Sequence, residues 1–320
     1  ACGAVSGGGF ALRRSGRDFN MISLADKLIV CGDSRPASPA FMATVQNGTA
    51  RVLNGVTAST DGAYVAALGH DYGTTKGVAI VVTDGSGALL WQRNITAAVS
   101  LTTNADAARK CCFDDSGNLY VLIQVATTLR TGVVMKFNSS GVLQWQRVIS
   151  DGAKHADVTA LACNPSGDVY VAAYISNASN DYEAHILKYN TSGVLQWQTK
   201  ATNGTNNATF YSLVVDGSDN LFACGASNNS YPVIRKYNNA GGLLASYCYT
   251  LGLISGGVIG HVTVDSSGGV YVAHDGAYYS GSNEAALVVI KFNASLTQQW
   301  AKRVRYTGTS SVLYSLTTDG

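Results

Sequence analysis

Two histidine–aspartate pairs, His70-Asp71 and His274-Asp275, carry the side chains of this sequence that are best suited to binding a metal. Imidazole and carboxylate groups are common metal ligands, but a zinc or calcium site needs at least three converging groups. The two pairs stand at different distances from their nearest strand anchors, so a repeated fold does not bring them together. We therefore predict neither a bound metal nor another cofactor, and we keep these four residues as the candidate metal ligands. The remaining histidines stand singly, at His155, His185 and His261.

Sequence signatures of common enzymes are missing. No G-x-S-x-G, H-E-x-x-H, phosphate-binding loop or dinucleotide fingerprint is present. We therefore predict that the protein is not an enzyme. A metal-dependent lyase or hydrolase stays open as an alternative, and it requires at least three of the five histidines to meet at one place.

Tyrosine and asparagine side chains are concentrated in a few segments rich in serine and glycine. The candidate ligand-binding residues are Asn180, Tyr182, Tyr278, Tyr279 and Asn283. Flat aromatic rings beside amide groups suit the binding of sugars or of a protein partner. The same composition is also typical of solvated loops, so a purely structural origin stays open.

The composition favours many short strands joined by tight turns. Charged residues make up 13% of the chain and hydrophobic residues 46%, with 35 glycines and only 4 prolines. A formal net charge of +2 gives no reason to expect a nucleic-acid partner. No apolar run reaches the ~18 residues that membrane insertion requires. The 7 cysteines form no paired spacing, which argues against a disulfide framework.

Two phrases recur along the sequence and indicate internal repeats. The first phrase, Asp115–Val121, returns as Pro165–Val171 and again as Ser266–Val272. The second phrase, Lys136–Trp145, returns as Lys188–Trp197. Each phrase has the serine, glycine and asparagine residues of a tight turn followed by an alternating strand pattern. Each repeat is therefore predicted to hold four antiparallel strands, A to D.

The tryptophans mark one position of the repeat. Trp91, Trp145 and Trp197 stand 54 and 52 residues apart, and Trp300 follows 103 residues later, which is two periods. Ala245 takes the place of tryptophan in the skipped repeat. A period near 50 residues with four short strands is typical of β-propeller blades.

Counting the repeats predicts an all-β fold, a single seven-bladed β-propeller domain over residues 1–320. Leu313–Gly320 repeats Phe210–Gly217, and Ala1–Ala4 repeats Ala223–Ala226. The C-terminal A strand and the N-terminal B and C strands are therefore expected to form one closing blade, which leaves no long free sheet edge. Six blades, or eight shared with a partner, stay open. The predicted blades lie near 19–53, 56–93, 107–147, 157–199, 209–247 and 260–302, with the closing blade at 312–320 plus 1–16.

The two phrases resemble the β-propeller repeats of the SBBP type, found in secreted bacterial and viral surface proteins. The resemblance covers the second to the sixth predicted blade well and the rest of the chain loosely. It implies a propeller in an extracellular, cell-surface or virion setting, and it implies no catalytic residues. The chain opens on Ala1 rather than Met, which is typical of a processed product or of a piece of a longer polypeptide.

Antiparallel blades place the B–C and D–A loops on one face of the propeller and the A–B and C–D turns on the other. The turns are short and nearly constant, whereas the loops are long and dissimilar, so the long-loop face is the predicted binding face. We expect a non-enzymatic binding or assembly module, such as a phage-type structural protein. Its expected partners are other structural proteins of an assembly or a surface glycan or receptor. A carbohydrate-binding receptor-recognition module is the alternative.

Overall fold

A computed structural model describes most of the chain as β-structure. The described residues are 10–14, 17–24, 27–31, 42–46, 51–71, 77–96, 108–126, 129–150, 154–176, 182–201, 208–227, 231–248, 260–274, 285–306 and 316–318. They contain 24 strands, and no helix among them is long and apolar enough to cross a membrane. The strands form six four-stranded antiparallel sheets, in each of which consecutive strands pair.

The six sheets follow one another along the chain. Sheet 1 consists of β1 (Phe10–Arg14), β2 (Arg17–Leu24), β3 (Lys27–Cys31) and β4 (Met42–Gln46). Sheet 2 consists of β5 (Arg51–Ala58), β6 (Tyr64–Asp71), β7 (Gly77–Asp84) and β8 (Leu89–Thr96). Sheet 3 consists of β9 (Ala108–Phe113), β10 (Leu119–Ala126), β11 (Arg130–Phe137) and β12 (Leu143–Ile149).

The second half of the chain continues in the same way. Sheet 4 consists of β13 (Ala156–Cys163), β14 (Val169–Ser176), β15 (Tyr182–Tyr189) and β16 (Leu195–Ala201). Sheet 5 consists of β17 (Ala208–Val215), β18 (Leu221–Ser227), β19 (Tyr231–Tyr237) and β20 (Leu243–Cys248). Sheet 6 consists of β21 (Gly260–Val264), β22 (Val270–His274), β23 (Ala285–Phe292) and β24 (Gln298–Tyr306).

Sheets 2 to 6 are arranged side by side like blades. Their first strands, β5, β9, β13, β17 and β21, lie next to each other in that order. The fourth strands β12, β16 and β20 instead alternate between exposed and half-buried residues, as outer edge strands do. The first strand of each sheet is therefore the inner one and the fourth is the outer one.

The hydrophobic core lies between neighbouring sheets. One buried cluster joins sheets 2 and 3, a second joins sheets 3 and 4, a third joins sheets 4 and 5, and a fourth joins sheets 5 and 6. Leu68 and Val121 belong to the first cluster, and Leu122 and Val171 to the second, with no exposed surface on any of them. Because the core is divided in this way, sheets 3, 4 and 5 each depend on two neighbouring sheets for stability.

One kind of turn closes the hairpins on one face of the sheets, which we call the turn face. In the turn after β9, Asp114 Oδ1 accepts hydrogen bonds from the amides of Ser116 (3.0 Å) and Asn118 (2.9 Å). In the turn after β11, Asn138 Oδ1 accepts from the amides of Ser140 (3.1 Å) and Val142 (2.9 Å). These are Asx turns, which explains why the two phrases place aspartate and asparagine there.

The repeated tryptophan joins sheets 2, 3 and 4 each to the following sheet. Trp145 Nε1 donates a hydrogen bond to the carbonyl of Thr191 in sheet 4 (3.0 Å), and its ring covers Gly193. Gly193 has a φ of 75°, and a Cβ there would lie 2.7 Å from the Trp145 ring. This position therefore needs glycine both for its backbone conformation and for the space that the ring occupies. Equivalent contacts join Trp91 to Ser139 and Gly141, and Trp197 to Asn239 and Gly241.

The number of blades differs from the prediction. The described residues form six sheets, of which sheets 2 to 6 have the predicted four-stranded pattern, and they include no seventh sheet. Phe10–Arg14, predicted as a strand of the closing blade, is the first strand of sheet 1, where Arg14 pairs with Arg17. Only two residues separate β1 from β2, so this hairpin forms locally and does not need the distant chain end.

Only a small part of the predicted closing contact falls on described residues. Thr318 Oγ1 donates a hydrogen bond to the carbonyl of Val264 on β21 (3.2 Å). Thr159 Oγ1 makes the same kind of contact between two inner strands, with the carbonyl of Phe210 (2.5 Å). Residues 1–9, 312–315 and 319–320 lie outside the described part of the chain. Joining of the two chain ends in a closing blade is not among the described contacts.

Candidate ligand-binding site

A cavity of about 540 Å³ opens between sheets 3 and 4. Ile149 and Ser150 come from the end of β12, Lys154 from the connection to β13, and Ser176 from the end of β14. These strand ends border one D–A connection, 150–156, and one B–C connection, 176–183, the two kinds of connection that were predicted to be long loops. The cavity therefore opens at the long-loop face, and it extends along β15 and β16 to Tyr189 and Leu195, beside the turn face.

Strand β15 supplies one wall of the cavity. Glu183, His185, Leu187 and Tyr189 all line it. Alternate residues of a strand point to the same side, so these four form one row. The row is polar at the start of β15, with Glu183 and His185, and apolar toward its end, with Leu187 and Tyr189. Because of this gradient, the wall offers a hydrogen-bonding end and an apolar end to one bound molecule.

The polar end of the cavity holds a connected set of side chains. The Lys200 ammonium forms a salt bridge with Glu183 Oε1 at 2.5 Å, and His185 Nε2 lies 3.9 Å from Glu183 Oε2. The Gln198 amide nitrogen lies 3.0 Å from His185 Nδ1. The ion pair fixes the carboxylate, and the amide orients the imidazole ring. A carboxylate and an imidazole held side by side are also the groups that proton transfer requires.

The predicted ligand-binding residues fall mostly outside the described part of the chain. Asn180, Tyr278, Tyr279 and Asn283 lie there, and so does Asp275 of the second predicted metal pair. Tyr182 is the first residue of β15 and pairs with Ser176, so its backbone lies beside the cavity. The prediction that these five residues share a site stays a prediction.

His274, the one candidate metal ligand with a described side chain, is buried. It is 1% exposed, and its Nε2 lies 3.8 Å from the Cys224 sulfur. Burial lowers the pKa of His274 to about 3 and raises the pKa of the Cys224 thiol far above its ordinary value. The pair is therefore a neutral imidazole beside a protonated thiol. His70 lies in β6, where it pairs with Val78, and Asp71 ends the same strand.

No group of three or more His, Cys, Asp and Glu side chains converges among the described residues. His155 is used locally, because its Nδ1 accepts a hydrogen bond from the Arg130 amide (3.1 Å). His185 lies in the cavity between sheets 3 and 4, and His261 lies on β21. The histidines whose side chains are described are thus distributed over separate positions.

The turn face also contains buried charges, but they are structural. Lys136 Nζ donates to Thr191 Oγ1 of the next sheet (2.7 Å), lies 4.0 Å from Asp114 Oδ2, and stands 5.2 Å from the centre of the Tyr120 ring. Burial raises the pKa of Tyr120 and lowers that of Lys136. Comparable salt bridges recur at Lys188–Asp168, Lys236–Asp216 and Lys291–Asp265. Recurrence in successive sheets indicates a role in joining sheets.

Sequence reasoning missed the residues that form the cavity. Lys154 and Gln198 match no motif, nor does Lys200, the salt-bridge partner of Glu183, and His185 was noted only as a histidine that stands alone. One signal was available, because Glu183 is one of only two glutamates in the chain, the other being Glu284. A residue type that the repeat does not use marks a position that the repeat does not explain.

Comparison with known proteins identifies the fold. No protein-family model matches the sequence, and no curated protein matches it either. An ulvan lyase, solved bound to a saccharide of glucuronic acid and sulfated rhamnose, is similar with a TM-score of 0.56 at 9% identity, over 92% of this chain and 82% of that chain. The β-propeller domain of the Trilobed protease from Pyrococcus furiosus is similar with a TM-score of 0.52 at 11% identity, over 94% of this chain and 95% of that chain. A puromycin-hydrolyzing peptidase of Mycobacterium tuberculosis is similar with a TM-score of 0.59 at 12% identity, over 92% of this chain and 44% of that chain.

These similarities confirm the predicted all-β propeller fold, and at 9% to 12% identity they concern the fold alone. The finer assignment to SBBP-type repeats stays a prediction.

The prediction that the protein is not an enzyme is contradicted by the same comparison. The lyase and the peptidase are enzymes, and both are similar in fold to this chain. The prediction was based on missing motifs such as G-x-S-x-G and H-E-x-x-H, which belong to other folds. A site assembled from several sheets leaves no such local signature, so the missing motifs say nothing about a propeller.

Proposed function

We propose that this propeller recognises a saccharide in the cavity between sheets 3 and 4. The observation that carries the proposal is the cavity itself, with a volume of about 540 Å³ and with both apolar and hydrogen-bonding walls. Small-molecule sites in proteins are concave and span ~300–1,000 Å³, whereas protein interfaces are broad and bury ~800 Å² on each partner. A cavity of this size suits one or two sugar rings.

The lining matches the two kinds of surface that a sugar ring presents. The Gln198 amide and the Glu183 carboxylate offer planar hydrogen-bonding groups to neighbouring hydroxyls. Ile149, Ile175 and Leu187 form an apolar wall for the C–H face of the ring. The ulvan lyase that shares the fold was solved with a bound saccharide, which agrees with this proposal without locating the site.

A second candidate function, assembly, is favoured by an exposed apolar surface on the outer rim. The first residue of each outer strand in sheets 2 to 5 is a leucine that is 46% to 55% exposed: Leu89, Leu143, Leu195 and Leu243. We call these four residues the leucine belt. Each of them has a second exposed aliphatic residue next to it in sequence, Leu90, Val142, Val194 and Leu244, and contiguous exposed apolar groups are typical of interaction surfaces.

The partner proposed for the leucine belt is a second copy of the chain, because a second copy presents the same exposed leucines at the same repeat positions. Display outside a cell or on a virus particle belongs to the same proposal. Light scattering at ~100 μM tests it. We expect an oligomer that the double substitution L143K and L243K dissociates, and a monomeric wild-type chain would contradict the assembly candidate.

The saccharide proposal is tested by glycan-array binding followed by calorimetry with the oligosaccharides that bind. Gln198→Ala removes a cavity group, and Gln146→Ala is the matched control, since Gln146 is an exposed residue at the same position of the outer strand in sheet 3. We expect Gln198→Ala to weaken binding about tenfold, the cost of one net hydrogen bond, and Gln146→Ala to leave it unchanged. Failure of every array saccharide to bind, or equal effects of the two substitutions, would contradict the proposal.

The same binding reactions also serve as an assay for chemistry at Glu183 and His185. Chromatography of the incubated oligosaccharides detects shortened or unsaturated products. Loss of such products in His185→Ala, with binding retained, would identify the imidazole as a proton-transferring group.

A further inference from the structure

We infer that the saccharide is acidic and that Lys154 holds its carboxylate or sulfate group. This inference depends on the proposed saccharide site and specifies its ligand class. It starts from the charges around the cavity. Lys154 and Glu183 are the lining residues with full charges, and they have opposite signs. Which of the two is already neutralised therefore decides what charge a ligand must bring.

Glu183 is neutralised by its own strand pair. β15 and β16 pair so that His185 lies opposite Lys200, and the Lys200 ammonium forms its 2.5 Å salt bridge with Glu183. The partly exposed Glu183 carboxylate, 27% exposed, therefore already has a cation in contact. A cationic ligand group would have to displace or share that cation.

Lys154 is the charge that is left over. Among the salt bridges between described residues, none involves Lys154, whose side chain is half-buried at the cavity. It comes from the connection between β12 and β13, whereas Glu183 and His185 come from β15. Because it reaches the cavity from a different segment, its ammonium group is positioned independently of the Glu183–Lys200 pair. The described lining thus carries one uncompensated positive charge.

An anionic group on the sugar satisfies that charge. Hydrogen bonds between an ammonium and a carboxylate or sulfate are shorter and about twice as strong as neutral ones. The remaining polar groups, Gln198 and His185, stay available for hydroxyls. A uronate or a sulfated ring therefore fits the cavity better than its neutral counterpart, since the two share all hydroxyl contacts and differ only in the contact with Lys154.

The test compares sugars that differ only in charge. Calorimetry is run with a galacturonate tetrasaccharide and its methyl ester, and with each matched acidic and neutral pair that the glycan array contains. We expect the acidic member to bind about tenfold more tightly at low salt, with the difference shrinking at high salt because screening weakens an exposed charge pair. Lys154→Gln should abolish the difference and Lys154→Arg should retain it. Lys302→Gln is the control, since Lys302 is an exposed lysine on β24 in sheet 6.

The possible results separate this inference from the proposed function. Equal or tighter binding of the neutral members would overturn the acidic preference and leave the saccharide site standing. An acidic preference that survives in Lys154→Gln would overturn the role of Lys154. If neither member of any pair binds, both proposals fail. Circular dichroism of each variant confirms that it is folded before its binding is compared.

Discussion

The turn face and the long-loop face use the same kinds of charged side chain in different ways. At the turn face, Asp114 and Lys136 are 2% and 7% exposed, and their salt bridge recurs in the following sheets. At the long-loop face, Glu183 and Lys200 are 27% and 46% exposed at their side chains. Charge pairs that recur in sheets 3 to 6 identify structure. An exposed pair that no repeat phrase contains, beside a cavity, identifies a candidate site.

The charged groups of the two faces also differ in how much they contribute to the free energy of unfolding. A buried polar group that loses its partner costs ~1–3 kcal/mol, whereas an exposed ion pair contributes ~0–1 kcal/mol to stability. We therefore expect substitutions at the turn face to lower the free energy of unfolding and substitutions at the long-loop face to change binding instead.

The largest expected effect is at the repeated tryptophan. Trp145→Ala removes the ring that covers Gly193 and the hydrogen bond to Thr191, so we expect the free energy of unfolding to fall by about 3 kcal/mol. Urea denaturation measures the change. Trp300→Ala is the control, because Trp300 is 37% exposed, and we expect a loss of under about 1.5 kcal/mol. Equal losses at the two positions would mean that the contact with the next sheet contributes little.

The buried aspartate of the turn face comes next. Asp114 accepts hydrogen bonds from the Ser116 amide, the Asn118 amide and the Tyr120 hydroxyl (3.0 Å). Asp114→Asn keeps the shape but removes the negative charge near Lys136, so we expect a loss of about 2 kcal/mol in unfolding free energy. The same substitution at exposed Asp115 serves as the control and should cost under about 0.5 kcal/mol. If Asp114→Asn lowered the free energy of unfolding by as little as the Asp115 control, the buried hydrogen-bond network would be dispensable for stability.

The sequence was sufficient to predict the repeated part of this architecture. Asx turns and positive-φ glycines depend on a few adjacent residues, as at Asn138 and Gly141, so their phrases appear directly in the sequence. The four-stranded sheets followed from those phrases and from the tryptophan period. Sheet 1 has neither phrase, and its first strand β1 was assigned to the closing blade because Ala1–Ala4 repeats Ala223–Ala226, whereas β2 was placed in the next blade.

The cavity could not be predicted because its residues meet only after two sheets have packed. Lys154 and Gln198 are 44 residues apart in sequence and come from different structural segments. Their contact with one cavity depends on the distance between sheets 3 and 4, which no local pattern encodes. The repeated phrases and their spacing therefore predict the scaffold, whereas the site depends on tertiary packing.

His274 is a buried histidine at the end of β22, whereas His185 at the cavity is half-buried. Its pKa is lowered by burial to about 3 in the folded state, against about 6.5 when unfolded. Between these two pH values the unfolded chain binds more protons than the folded chain. The contribution of neutral His274 to the free energy of unfolding is therefore fully present above pH ~6.5 and decreases as the pH drops toward 3. We expect the free energy of unfolding to fall by up to ~1.4 kcal/mol for each pH unit below 6.

Urea denaturation at pH 7.5 and pH 5 measures the slope for His274. We expect His274→Gln to flatten that slope and His185→Gln, at the half-buried cavity histidine, to leave it nearly unchanged. A slope that persists in His274→Gln would assign the pH dependence to other groups.

The smallest expected change in stability is at the cavity, where Glu183→Gln separates the two faces most clearly. Glu183 and Lys200 are partly exposed, so loss of their salt bridge should lower the free energy of unfolding by under about 0.5 kcal/mol. The same substitution releases Lys200 and adds a positive charge beside the cavity, so binding of an acidic saccharide should become tighter while binding of its neutral ester weakens or stays constant. Gln146→Ala, on the matching strand of sheet 3, should change neither quantity. A stability loss as large as that of Asp114→Asn would mean that the long-loop face, too, is held together by its charges, and the distinction between a structural face and a binding face would fail.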